Sequence, residues 1–260
     1  MPSWDPSQYL KFGGDRLRPA LDLLARIPLD RPRTVYDLGC GPGGITRMLA
    51  ERWPEAAVTG VDSSPDMLAR AAAEAPTLTF EQADIATWSA PAPADLLFSN
   101  ATLHWLDDHA ALLPRLVAQL APGGALAVQL PCNPDSPSHR MMEDAAAAGP
   151  WHTRLAGIRP IYGSVETTEG YYRILAPLAH RLDIWETTYL HVLASDNAGE
   201  SPVVEWVKGT ALRPYLDALP DGQRRAFLNA YSQRIATRYP PQSDGRTLLP
   251  FRRIFFVVQT

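Results

Sequence analysis

The residues with the most chemical content lie in Val35-Tyr36-Asp37-Leu38-Gly39-Cys40-Gly41-Pro42-Gly43-Gly44. Glycines so spaced let the chain turn sharply and let a ligand lie against the main chain. Gly39, Gly41 and Gly44 also satisfy the GxGxxG spacing of dinucleotide sites, which alone is a weak signal. Asp37 tips the balance. A carboxylate a few ångströms from a pyrophosphate costs on the order of 1 kcal/mol or more. The same carboxylate stabilises a ligand that carries an ammonium and a sulfonium, and S-adenosylmethionine is such a ligand. Asp62 follows 23 residues after Gly39, where an acid can accept both ribose hydroxyls. Asp84 can accept from an adenine amino group. The candidate cofactor set is Asp37, Gly39, Gly41, Gly43, Asp62, Ser63, Met67, Asp84, Ile85 and Asn100. The plainer alternative has Asp62 capping a helix and Asp84 sitting in a turn.

Asn100 and Ala101 close a further apolar segment, so Asn-Ala-Thr-Leu-His-Trp at 100–105 should border the reactive methyl. His104 can be a general base, a substrate ligand or a packed histidine, and Trp105 a wall of the pocket. Cys40 reads as a small buried residue.

These residues need strand ends to hold them. Short apolar runs at Thr34–Leu38, Ala57–Asp62, Thr77–Phe80, Asp95–Asn100 and Ala125–Leu130 read as strands. Helical spacing covers 15–27, 45–53, 64–74 and 107–120, with Ser63 or Ser64 as a cap before Pro65. The third strand-to-strand link, between Phe80 and Asp95, is expected to hold a further helix. The strands are apolar without clean alternation, as strands buried on both faces are. The pattern is α/β: a doubly wound, mostly parallel, Rossmann-like sheet. After Asn133 the rhythm changes to prolines, aromatics and short helical patches. Residues 181–193 are β-prone, 201–239 hold two or three amphipathic helices broken at Pro214 and Pro220, and Phe251–Val258 is a last strand.

The chain has 260 residues, 46% hydrophobic and 20% charged, which excludes disorder throughout. A net charge of −4 argues against a general nucleic-acid surface. Cys40 and Cys132 form no CxxC pair, so no metal site is expected. No signal peptide is visible and no apolar run spans a bilayer, so a cytoplasmic protein with no membrane partner is expected. Oligomeric state is open, with a monomer compatible.

Asp37–Gly43, Gly60-Val61-Asp62-Ser63-Ser64, Gln82-Ala83-Asp84 and Asp95–Asn100 resemble class I S-adenosylmethionine-dependent methyltransferases over roughly residues 30–130. That resemblance implies a seven-stranded sheet whose last strand, Phe251–Val258, is antiparallel. A narrower resemblance, to the trans-aconitate 2-methyltransferase family, runs over almost the whole chain. It is carried by Trp4-Asp5-Pro6-Ser7-Gln8-Tyr9-Leu10 with Phe12, Arg18-Pro19-Ala20, Leu103-His104-Trp105-Leu106, Asp183-Ile184-Trp185, Thr187-Thr188-Tyr189, Glu205-Trp206-Val207 and Leu212-Arg213-Pro214. Cys132 to Gly149 departs from it. The resemblance implies an N-terminal lid and first helix over 1–30, a cofactor core over 31–132, a mainly helical cap insert over 133–245 that includes the strand at 181–193, and a final core strand over 246–260.

The implied activity is methyl ester formation on a small polycarboxylic acid. A carboxylate with a pKa near 4 is already ionised at pH 7, so no general base is needed. Arginine meets a carboxylate with two parallel hydrogen bonds. Arg213 and Arg253 are therefore candidate anion ligands, with Tyr9, His104, Trp105, Tyr172 and Tyr189 completing the substrate set. Other carboxylates (a fatty acid, a carrier-bound malonyl group, a secondary metabolite) are the alternative acceptors, favoured by a cap pocket that is apolar and lacks two arginines. An NAD-binding oxidoreductase and a non-catalytic module are the competing classes.

Overall fold

The computed structural model describes residues 13–159, 161–195 and 200–260, with side chains described from residue 17 onward. Tyr9 and the rest of the opening segment lie outside the described residues. The elements are α1 (Gly13–Leu24), β1 (Thr34–Leu38), α2 (Gly44–Arg52), β2 (Ala57–Asp62), α3 (Pro65–Glu74), β3 (Thr79–Gln82), β4 (Ala94–Asn100), α4 (His109–Val117), β5 (Leu120–Pro131), α5 (Pro137–Ala148), α6 (His152–Leu155), α7 (Thr168–Leu175), β6 (Arg181–Leu193), α8 (Pro202–Lys208), α9 (Arg213–Asp217), α10 (Asp221–Arg238) and β7 (Thr247–Gln259). The strands form one seven-stranded sheet in the order β3-β2-β1-β4-β5-β7-β6. β1 to β5 run parallel in neighbouring pairs, and β7 is antiparallel to β5, from Ala125 opposite Gln259 to Pro131 opposite Arg253.

The chain divides into two compact units. One holds Arg16–Pro131, Ser164–Thr187 and Arg253–Thr260. Its core is the middle of the sheet, where Val35, Leu38, Leu96, Phe98, Leu126 and Phe256 are buried. Ser64 caps α3 by accepting from the Met67 N–H, as its position before Pro65 predicts. β3 departs from expectation. It starts two residues later than its apolar run suggests, because Leu78 donates to the Ala75 carbonyl in a turn. It is also only partly buried, since it forms the edge of the sheet. The helix expected before β4 is instead a set of turns built on Asp84, whose carbonyl accepts from Thr87 and Trp88.

The other unit includes Cys132–Gly163 and Thr188–Arg252 and is mainly helical. Its cluster contains Met142, Trp151, Val203, Trp206, Leu212, Phe227, Tyr231 and Ile235. Trp151 meets Phe227 edge-on at 5.5 Å, and Tyr215 stacks on Phe227 at 5.9 Å. Pro214 does not break a helix; it sits in the first turn of α9, where its missing N–H costs nothing. Among the described residues no helix is long and apolar enough to cross a membrane.

Candidate active site

Parallel strands present their carboxyl ends along one edge of a sheet, and ligands of such folds lie beyond that edge. Asp37 is opposite Gly60 and Asp62 opposite Gln82, so the first two acids and the residues leading to Asp84 come together there. The glycine loop is hooked over the end of β2: Gly39 and Cys40 both donate to the Val61 carbonyl, at 2.7 and 3.1 Å. Gly39 has φ +81°, and a Cβ on it would stand 2.1 Å from Thr102 Oγ1. That position admits no side chain. Gly41, at φ +54°, has no atom of the described residues within 4 Å of where its Cβ would be, so among those residues the main chain there faces open space.

Asp37 is buried, and its Oδ2 accepts from Thr46 Oγ1 at 2.7 Å. Burial outweighs that bond, and with the nearby negative charge of Asp62 it pushes the pKa up to about 7. Asp62 accepts from the Gly41 N–H through Oδ2 and from the Ser64 N–H through Oδ1, both at 2.9 Å. It therefore braces the loop, and each oxygen keeps capacity for another donor. Asp84 is exposed and accepts from the Ala86 N–H at 2.9 Å, an Asx turn of the kind the plainer reading expects. Met67 and Ile85 are buried, Ser63 is half-buried, and Gly43 precedes α2 at φ +81°. The Oδ1 of Asn100 is buried and meets no hydrogen-bond partner among the described residues.

His104 is buried, and its pKa is pushed down to about 3 by burial and then by the positive charge of Arg253. It is neutral at pH 7 and unsuited to be a general base. Trp105 is 41% exposed, so it is not a packed residue; it rests on His104 with ring centroids 4.9 Å apart. Arg253 is buried rather than solvated, and its Nη1 donates to Gln129 Oε1 at 3.3 Å. Tyr172 is 60% exposed on α7, beside a shallow cavity shared with Glu169, Arg173 and Ile184.

Tyr189 and Arg213 belong to the helical unit. Tyr189 is buried, and Arg213 is half-buried with Nε 3.5 Å from Asp217. Asp183 and Trp185, on β6, pack the sheet: Arg26 bridges to Asp183 at 3.2 Å and lies over Trp185, which stacks on Phe255 at 4.8 Å. Sequence reasoning missed Thr46, although it falls one helical turn into α2, and Gln129, whose partner is 124 residues away. It also missed a cavity of about 250 Å³ within the helical unit. Among the described residues its walls include His139, Met142, Glu143, Ile161, Tyr162 and Tyr215 and no arginine. Burial holds His139 neutral, at a pKa of about 4. Among the described residues no group of three or more acids, histidines or cysteines could hold a metal ion.

Residues 35–124 match a family described as a methyltransferase domain. A structure of the YcgJ protein from Bacillus subtilis is 13% identical, covers 93% of this chain and 97% of its own, and superposes with a TM-score of 0.60. Haemonchus contortus phosphoethanolamine N-methyltransferase 2, in complex with S-adenosyl-L-methionine, is 17% identical, covers 96% of this chain and 56% of its own, and gives 0.56. At such identities these likenesses show the fold alone. Trans-aconitate 2-methyltransferase of Azoarcus sp. (strain BH72) is 53% identical over 257 residues, 99% of each chain. The glycine spacing is thus a methyltransferase loop, and the dinucleotide reading falls. Identity of that extent over the whole length, helical unit included, means that the chain belongs to the trans-aconitate 2-methyltransferase family.

Proposed function

We propose that this enzyme methylates a carboxylate oxygen of trans-aconitate, with S-adenosylmethionine as methyl donor, and releases a methyl ester. The single observation that carries the reading is the 53% identity, which extends through both units. The residues fit the donor. A buried carboxylate at Asp37 lacks full compensation and gains from a cation. Among the described residues nothing fills the space at Gly41, and Asn100 Oδ1 is a buried acceptor that meets no donor. In this reading Asp37 takes the ammonium, Asp62 the ribose hydroxyls and Asp84 the adenine amine, with Gly39, Gly41 and Gly43 shaping the loop, and Ser63, Met67, Ile85 and Asn100 completing the wall.

When bound, S-adenosylmethionine supplies a methyl group on a sulfonium. The chain's own task is to hold the acceptor, orient it and keep water out. Arg253 pairs with a carboxylate, and neutral His104 contributes a hydrogen bond without a charge. No residue needs to take a proton, because the acceptor oxygen is already ionised. Cys40 and Cys132 are both buried and outside any disulfide, which suits a reducing compartment, and we place the protein in the cytoplasm.

Incubation with labelled S-adenosylmethionine and trans-aconitate should yield a base-labile methyl ester; no turnover with any acid of a small-carboxylate panel refutes the reading. One observation favours a second acceptor class, a carboxylic acid with an apolar body: among the described residues the cavity of the helical unit has largely apolar walls, an acid and no arginine. Preference for such acids over trans-aconitate in the same panel would establish it.

A further inference from the structure

Ala101 and Asp108 bracket the excursion that carries His104 and Trp105. Both are held at positive φ, 53° and 50°, and among the described residues they are the only non-glycines so placed. An L side chain there crowds its own backbone. Such strain persists only where neighbours over-determine the conformation. The start of the excursion is tied by the Ala101 N–H to the Gln129 carbonyl at 2.8 Å, and by Thr102 Oγ1 to the carbonyls of Asn100 and Gly39 at 3.1 and 3.3 Å.

Its middle is tied by His109. The Nε2 of His109 lies 2.9 Å from the Leu103 carbonyl oxygen, which can only accept. Nε2 therefore carries the proton. Nδ1 must then accept, and Tyr171 Oη, 2.7 Å away, must donate. Tyr171 Oη in turn accepts from the Glu166 N–H at 3.3 Å. Every bond in the chain Glu166, Tyr171, His109, Leu103 has one direction, and both rings are buried. Burial, the largest influence on His109, lowers its pKa, in the direction of the one-proton form, while its hydrogen bond to the Leu103 carbonyl acts the other way.

The geometry points to His109 and Tyr171 as positioning residues for the acceptor. They fix the Leu103 carbonyl, and through it the placement of His104 and Trp105. The inference rests on the reading that His104 and Trp105 face the acceptor. Without the His109 bond, the strain at Ala101 and Asp108 favours relaxation of the whole excursion.

Three variants of the full chain test this: His109→Leu, His109→Gln and Tyr171→Phe. A glutamine amide in place of the imidazole can still reach the Leu103 carbonyl, whereas leucine cannot. Acceptor KM should rise by about tenfold or more in H109L, with the dissociation constant of S-adenosylhomocysteine within about twofold of wild type. H109Q should recover most of the loss. Imidazole nitrogen NMR should find His109 protonated at Nε2, with the Nδ1 resonance moved by Y171F. Hydrogen exchange of the 102–106 amides reads the tie without any acceptor, and should quicken by about tenfold in H109L and not in H109Q. H109Q as impaired as H109L, cofactor and acceptor affinities falling together, or wild-type exchange in H109L would each overturn the inference. Quickened exchange in an enzyme that methylates no acid would count against the proposed acceptor alone and leave the tie standing.

Discussion

Asp37→Asn should move stability and cofactor affinity in opposite directions. The carboxyl has an ordinary value of 3.8 and stands at about 7 in the folded chain. Between those values the folded state binds more protons than the unfolded state, so stability falls as pH rises from about 4 to about 7. Three units at about 1.36 kcal/mol each make a cost of up to about 4 kcal/mol above pH 7. Asparagine carries no charge and keeps an oxygen for the Thr46 hydroxyl, so it removes most of that cost. The variant should unfold at higher urea than wild type at pH 8 and show a flatter stability profile between pH 4 and 7. Its affinity for S-adenosylhomocysteine should nevertheless drop by about 1–3 kcal/mol, the worth of a charge-assisted hydrogen bond. Wild-type affinity should itself weaken below pH 7 as Asp37 takes a proton, by about a hundredfold at pH 5, and that limb should vanish in the variant. Calorimetric titration across pH with parallel urea unfolding measures both. A wild-type affinity that is level from pH 5 to 8, or a variant less stable than wild type at pH 8, would refute the argument.

Gly39→Ala places a methyl where Thr102 stands and forces alanine to φ +81°, so it should cost about 3 kcal/mol or more in urea unfolding and abolish cofactor binding. Arg253→Gln removes a buried cation; acceptor KM should rise roughly tenfold to a hundredfold while cofactor affinity stays put, and the His104 pKa should climb by NMR. Phe227→Ala empties the centre of the helical unit, where Trp151 and Tyr215 meet it, and should destabilise that unit by about 3–5 kcal/mol in thermal or urea unfolding.

Strand β1 was readable in the sequence because Gly39 stops the apolar run Thr34–Leu38. Glycine and proline misled at β5, which starts at Leu120 and runs through Pro122-Gly123-Gly124, a stretch whose residue types suit a turn before a strand at Ala125–Leu130. β3 was misplaced because Thr77 and Leu78 are as β-prone as the residues that follow, and only the turn to Ala75 separates them. The acids were readable because strand ends bring them together by topology. What was unreadable depends on pairs far apart in the chain. His109 and Tyr171 are 62 residues apart, and no periodicity announces such a bond. The burial of Arg253 follows from β7 lying between β5 and β6, a placement known only once the sheet order is known. The exposure of Tyr172 has the same origin: a helix of eight residues cannot bury every aromatic it carries, and Tyr171 takes the inner place.

Asp37 and Arg253 are both buried charges, and they sit on strands that the sheet order separates by β4 and β5. Three strand spacings come to about 14 Å. A cation-seeking group therefore stands on β1, third in the row, an anion-seeking group on β7, sixth in the row, and β4, which leads into the excursion after Asn100, lies between them. That order matches a donor held by its ammonium and an acceptor held by its carboxylates, with the two reacting atoms in the middle. Groups so far apart should act independently. The double variant Asp37→Asn, Arg253→Gln should lose cofactor affinity as the first single variant does and acceptor affinity as the second does, with the free-energy changes adding to within about 0.5 kcal/mol. Coupling well beyond that value would mean that the two charges serve one ligand, and the division of labour along the sheet would be wrong.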